Sequence, residues 1–249
     1  MGDQVFSTCS NLATVVIGDK VESIGEFAFH SCVNMSSVTF GSSITSIGKL
    51  DFFDCDSLTV VALPDSVTSI GESAFNDCSN LINISTGESL VDVGDAAFNL
   101  CTQLQTVTFP ATLETIGESA FAFCVNLDKI YAAGNAPAFN EFNTFAGAEA
   151  ATVYYFADTS GWGPLLGTLS TEVLPEIVTT DGNFGVSNNE FGFTVVGDAG
   201  QEAIVQVSTD FVSTSWVEAG RIVLTNGSGF FVDANWTALS GRYYRIVWP

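Results

Sequence analysis

The sequence predicts a solenoid of stacked coils lined by a parallel β-sheet, followed by a smaller all-β module. Three observations carry this. All six cysteines lie 23 residues apart, at Cys9, Cys32, Cys55, Cys78, Cys101 and Cys124. Each is flanked by fixed apolar columns: Phe6, Phe29, Phe52, Phe75, Phe98 and Phe121 three residues before it, and Leu12, Met35, Leu58, Leu81, Leu104 and Leu127 three residues after it. Beyond Thr179 the period disappears, and short strand-like runs separated by Gly, Asp and Asn replace it.

A single 23-residue unit cannot bury its own apolar face, whereas stacked copies bury it against one another. Within one unit Leu58–Leu63 reads as a short strand, with Val61 and Leu63 inward and Val60 and Ala62 outward. Ile70 opens the return limb and Gly71 permits the turn. Glu72–Cys78 has room for one helical turn or two, with Ala74, Phe75 and Cys78 facing in. Strands in register then form a parallel sheet with coils about 4.8 Å apart.

The unit Ile-Gly-x-x-Ala-Phe-x-x-Cys-x-x-Leu-x-x-Val resembles the BspA-type leucine-rich repeat of bacterial and some protist surface proteins, from residue 5 to about residue 134. The expected fold is therefore a leucine-rich-repeat solenoid with short helical or irregular return limbs and a C-terminal all-β sandwich. Residues 1–134 hold the repeats, 135–177 a cap and 178–249 the sandwich. The resemblance implies a secreted or cell-surface bacterial protein used in adhesion or protein binding. One unit departs from the pattern: Asp51 stands where the others carry alanine, and a local distortion is expected there.

Gly134-Asn-Ala-Pro137 interrupts the period, Phe145 precedes a strand over 151–156, and Gly161-Trp-Gly163 reads as a turn. This stretch has the character of a cap, which shields apolar side chains and unpaired strand groups of the last coil. At the other end residues 1–4 replace the Ile-Gly half of a unit, so the chain is expected to be a fragment, with no signal peptide within it.

Charge and composition narrow the function classes. With 28 acidic residues against 6 basic ones, the formal charge is −22. Such a field repels nucleic acid and anionic membrane. No apolar run approaches the roughly 20 residues a membrane-spanning helix needs, so no membrane insertion is expected. His30 is the only histidine. It sits beside Phe29 at a variable repeat position that reads as exposed, so neither a His-based triad nor a zinc site is expected. Acidic pairs are plentiful, but they recur at repeat positions rather than in a cleft with sugar-stacking aromatics, so a glycosidase is not expected. The chain reads as non-enzymatic.

Four features remain as candidates. The cysteine column reads as buried and reduced, since Cβ atoms of stacked coils stand about 5 Å apart and a disulfide needs about 3.8 Å. Asp51, Asp54 and Asp56 form a weak metal candidate, with calcium the fitting ion. Trp162, Trp216, Trp236, Trp248 and the pairs Tyr154-Tyr155 and Tyr243-Tyr244 read as largely core residues, with room for one exposed sugar-stacking patch. The outward sheet face is the candidate partner surface. Its columns are Thr14, Ser37, Val60, Asn83, Thr106, Lys129 and Val16, Thr39, Ala62, Ser85, Thr108, Tyr131. Two readings fit these small hydroxyl residues: contact with a protein or glycan ligand, or simple β-propensity with solubility. Carbohydrate binding through the C-terminal sandwich and a spacer role are the alternatives.

Glu26, Glu72, Asp95 and Glu118 form an acidic column broken by Lys49, and each follows the Gly that opens a return limb, where a carboxylate can complement backbone N–H groups at a helix start. Like charges in a column repel. Ca²⁺ or moderate salt is therefore expected to raise the melting temperature in calorimetry, and a flat response to both rejects the reading.

Overall fold

The computed structural model describes residues 1–139, 143–156, 159–174, 176–178, 183–187, 190–208, 216–233 and 243–247. These residues divide into two compact units, one formed by Met1–Tyr155 with Thr159–Thr171, the other by Phe156–Asp158 with Glu172–Pro249.

The first unit is a stack of coils with two parallel sheets. On its front, Thr14–Val16 pairs with Ser37–Thr39. A second ladder runs from Val60–Ala62 through Asn83–Ser85, Thr106–Phe109 and Lys129–Ala132 to Thr152–Phe156. Its strands pair residues 23 apart, as in Val60 opposite Asn83 and Lys129 opposite Thr152. Leu169–Leu174 and Leu165–Leu166 finish this sheet. On the back, Ser46–Ile47, Ser69–Ile70, Asp92–Val93 and Thr115–Ile116 pair in the same register.

The return limb holds no helix among the described residues, contrary to the helical turn that Glu72–Cys78 allows. The reason lies in its backbone. Each limb has two left-handed residues four apart, such as Ser73 (φ 54°) and Asp77 (φ 60°), or Ala96 (φ 53°) and Leu100 (φ 62°). That conformation breaks a right-handed helix at once. It also turns alternate N–H groups along the stack. Ser73, Phe75 and Asp77 donate to Asp95, Ala97 and Asn99 of the next coil at 2.8 Å each. The intervening amides close tight turns: Ala74 onto Gly71, Asn76 onto Ser73 and Cys78 onto Phe75, at 3.2 Å each. The limb is thus hydrogen-bonded between coils much as a sheet is, and this offsets the cost of left-handed non-glycine residues.

Between the sheets the apolar columns stack as expected. Phe6, Phe29, Phe52, Phe75, Phe98 and Phe121 form an offset ring stack with centroids 5.2–5.4 Å apart. Phe145 extends it at 5.6 Å from Phe121, although it comes 24 residues later. The one-residue slip is absorbed before Val153, which again stands opposite Ile130.

The cysteines are free, five of them buried and Cys9 exposed. Each buried thiol donates to a phenylalanine carbonyl of the coil before: Cys32 to Phe6, Cys55 to Phe29, Cys78 to Phe52, Cys101 to Phe75 and Cys124 to Phe98, at 3.1–3.3 Å. The column therefore supplies a small apolar body and a further donor to a carbonyl that, at Phe75, also accepts from Cys78 N. Burial pushes the Cys55, Cys78 and Cys101 thiols far above their ordinary range and Cys124 up to about 12.

The second unit carries two antiparallel sheets. One contains Glu176–Val178, Gly185–Ser187, Glu190–Val196 and Ser228–Asp233; the other contains Glu202–Ser208, Val217–Val223 and Tyr243–Val247. Phe193, Val195 and Phe231 of the first meet Ala203, Val205 and Ile222 of the second in one apolar cluster. The strand Val217–Val223 runs through Gly220 without a break, and its register with Glu202–Ser208 shifts between Val205 and Gln206.

A thiol count tests the burial pattern. Native protein treated with Ellman's reagent is expected to release about one equivalent rapidly, from Cys9, and all six only after unfolding. Rapid reaction of several thiols in the folded state contradicts the packed column.

Candidate functional site

The front sheet places both predicted surface columns outward. Inward Val38, Val61, Ile84, Val107 and Ile130 alternate with exposed or half-buried neighbours on either side. Thr14, Ser37, Val60, Asn83 and Lys129 are exposed in one column, with Thr106 half-buried; Val16, Thr39, Ala62, Ser85 and Thr108 are exposed in the other, with Tyr131 half-buried. Val16 and Val60 are 75% and 59% exposed, unusual for lone valines and consistent with a flat, uncovered face.

The structure lengthens this face beyond its sequence-read limits. Thr152 and Tyr154 continue the columns one coil further, opposite Lys129 and Tyr131. Tyr154 was assigned by sequence to the cap. It instead stacks on Tyr131 with ring centroids 5.5 Å apart. The signal was present, since both residues keep the spacing of 23, but the loss of the Ile-Gly and Cys columns hides it. Tyr155, the other member of the pair, faces the opposite way and stacks on Trp162 at 5.3 Å, whose indole donates to Gly134 O at 3.1 Å.

Beside the face, at the C-terminal ends of the strands, a cavity of about 430 Å³ is lined by Ser85, Thr86, Thr108, Asp65 and Glu88 among others. Its carboxylates are partly engaged: Asp65 Oδ1 accepts from Glu88 N at 3.2 Å. The same device recurs in the other acidic column. Asp3 accepts from Glu26 N and Asp95 from Glu118 N, at 3.1 and 2.7 Å. These carboxylates thus complement N–H groups of the next coil, not a helix start, and only the shorter aspartate does so. Lys49 breaks the column by pairing with Glu72 at 2.7 Å.

The three aspartates of the metal candidate do not converge. Among the described residues no group of three or more His, Cys, Asp or Glu side chains is placed to hold a metal ion. Asp54 accepts from Ser31 Oγ and Asp56 from Ser79 Oγ, both at 2.9 Å. Asp51 is fully buried. Its Oδ2 accepts from Gly48 N at 2.7 Å and its Oδ1 from Ala28 N at 3.2 Å. In the following coils the corresponding glycine amide behaves differently: Gly71, Gly94 and Gly117 donate to Ile47, Ile70 and Val93 one coil back. Asp51 thus stands in for a coil-to-coil bond, where the back sheet begins at Ser46–Ile47 and the front ladder divides between Ser37–Thr39 and Val60–Ala62. The return limb itself stays regular here, with Leu50, Phe52 and Asp54 donating to Glu72, Ala74 and Asn76, so the exception is confined to the Gly48 amide.

His30 is half-buried rather than exposed, its ring stacked on Phe53 at 5.0 Å, and its counterpart Ala122 is buried. Trp216 lies under the Arg245 guanidinium at 4.5 Å. Trp236 and Trp248 lie outside the described residues.

With this geometry in place, comparison with known proteins is decisive for the family. The BspA type leucine-rich repeat region matches residues 1–147 in six copies. The chain belongs to the BspA-type leucine-rich repeat family. Among curated proteins none matches it. A leucine-rich repeat protein of T. pallidum is similar in structure, with a TM-score of 0.51 and 25% identity over 60% of this chain and 71% of that one. Leucine-rich repeat proteins of Bacteroides ovatus and Faecalibacterium prausnitzii, the latter described as a cell surface protein, show 19% and 20% identity and TM-scores of 0.38 and 0.39. They align with 70% and 69% of this chain, which spans 64% and 62% of theirs.

Burial without a cation holds the Asp51 carboxyl up at about 6, the two backbone bonds opposing but not cancelling the desolvation. A carboxyl whose folded pKa lies above its unfolded value of about 3.9 binds protons more tightly in the native state. Stability is then fullest below pH 4 for this group and falls as pH rises through 6. Asp51→Ala, the residue of neighbouring coils, is expected to flatten the urea-derived stability profile between pH 4 and 7 by up to about 3 kcal/mol. Equal slopes for wild type and variant contradict the assignment.

Proposed function

We propose that this chain is a non-enzymatic recognition module of a secreted or cell-surface bacterial protein, binding a protein partner along the outward face of its front sheet. Membership of the leucine-rich repeat family supports protein interaction in general. The observation that carries the specific reading is the stacked Tyr131–Tyr154 pair at the end of an in-register hydroxyl face. Tyrosines offer large contact area with few rotatable bonds and a polar tip, and they concentrate the energy of protein interfaces. The face is rigid because every strand on it is fixed by a 23-residue register, so little ordering entropy is lost on binding. Its flatness suits a macromolecule, and the hydroxyls of Thr106, Thr108 and Thr152 can donate or accept around the aromatic anchor. The acidic background adds long-range attraction for a basic partner.

The test is biolayer interferometry of the full chain against immobilised fibronectin, laminin and collagen. Binding to at least one is expected, with Tyr154→Ala and Thr108→Glu each weakening it about tenfold or more, the scale of an interface hot spot. Glu114→Gln, on the exposed approach to the back sheet, is the control and should bind like wild type. Face variants indistinguishable from wild type, or no binding to any of the three, would sink the reading.

A further inference from the structure

We propose that the C-terminal unit carries a saccharide subsite centred on Phe230, independent of the solenoid face, and that its ligand is a neutral sugar ring. On the strand Ser228–Asp233 side chains alternate, with Phe231 in the core and Phe230 and Val232 outward. Phe230 is 54% exposed. Phe123 and Phe184 are exposed to a similar degree; what sets Phe230 apart is the backbone beneath its ring and the polar groups around it.

The ring is held in place by the residue beneath it. Glu190–Val196 pairs with this strand so that Thr194 lies opposite Phe230 and Gly192 opposite Val232. A Cβ on Gly192 would come within 2.6 Å of the Phe230 Cζ and 3.1 Å of its Cε1. The ring therefore lies across the glycine backbone with its other side turned to solvent. Glycine at 192 is what permits a flat platform. The strand is rigid at its start as well. Asn226 and Gly227 both adopt left-handed φ, 54° and 81°, in a tight turn closed by Ser228 N on Thr225 O at 3.3 Å.

Around the ring lies an open depression of about 590 Å³, lined by Phe230, Asn183, Thr194, Thr225, Ser228 and Gly229. Its polar groups are one amide and three hydroxyls. Asn183 Nδ2 donates to Thr194 Oγ1 at 3.4 Å, which sets the amide beside the hydroxyl on the rim of the depression. Among the described residues no Asp, Glu, Lys or Arg lines the depression, although the chain as a whole carries −22. An anionic ligand finds no cation there and a cationic one no carboxylate. A pyranose fits on both counts. One face presents C–H groups that pack on an aromatic ring, and its rim presents hydroxyls that donate and accept as the Asn, Thr and Ser groups do.

Affinity electrophoresis of the full chain in native gels containing xyloglucan, mixed-linkage β-glucan, galactomannan or soluble starch tests this, with polygalacturonate as the charged control. Retardation by at least one neutral polysaccharide is expected. Phe230→Ala should weaken it at least tenfold with the melting temperature unchanged, and Phe230→Trp should retain it. Asn183→Ala, a milder change at an exposed residue, should weaken it several-fold. Tyr154→Ala should leave it unaltered, which separates this subsite from the solenoid face. Retardation by none of the neutral polymers, retardation by polygalacturonate alone, or equal retardation of wild type and Phe230→Ala overturns the proposal.

Discussion

The register between coils is the constraint on which the solenoid depends. A step of 23 residues brings backbone donors opposite acceptors of the neighbouring coil, on the front sheet, on the back sheet and at alternate amides of the return limb. A single-residue slip in a strand would turn its apolar set outward. Because all three sides share one step, the phenylalanine rings and the thiols fall into columns as a consequence, and the core fills by repetition rather than by jigsaw fitting. The left-handed residues of the return limb belong to the same constraint. Each is unfavourable locally, and each aims an N–H at the next coil.

From this follows a division of labour along each strand. Inward positions are fixed by the stack, whereas outward ones are free to vary. Val60, Asn83, Thr106, Lys129 and Thr152 occupy one column with four different side chains, while Val61, Ile84, Val107, Ile130 and Val153 beside them remain aliphatic. A surface whose shape is set by the scaffold and whose chemistry is not is well suited to recognition. Asp51 shows how far the stack tolerates exceptions: a carboxylate can replace a coil-to-coil bond, at the cost of holding a titratable group in the core.

Much of this was legible in the residues, since columns at constant spacing are the direct image of stacked coils. The strand alternation at Val60–Leu63, the reduced cysteines and the anomaly at Asp51 all follow from it. The return limb was not legible, because Ser73, Ala96 and Leu100 carry no mark of a left-handed backbone; in sequence such positions advertise themselves only when filled by Gly or Asn. Nor was the thiol's bond to the phenylalanine carbonyl, which spans 26 residues and crosses between coils. The place of Tyr154 on the outward face was not legible because the repeat decays unevenly in the cap: Phe145 is offset by one residue while the strand after it returns to register. Phe230 could not be distinguished from Phe231 by residue type, and only the pairing with Gly192 and Thr194 fixes which ring faces out.

The return-limb ladder is the least conventional part of the account and the part most directly open to measurement. Native-state hydrogen exchange reads it amide by amide. If the limbs are bonded between coils, the Phe52, Phe75 and Phe98 amides, which donate to Ala74, Ala97 and Ala120, will exchange as slowly as the strand amides of Val61 and Val107. Exchange of these three amides at the rate of exposed loops would contradict the account and leave the front sheet without the rigid frame its recognition role requires.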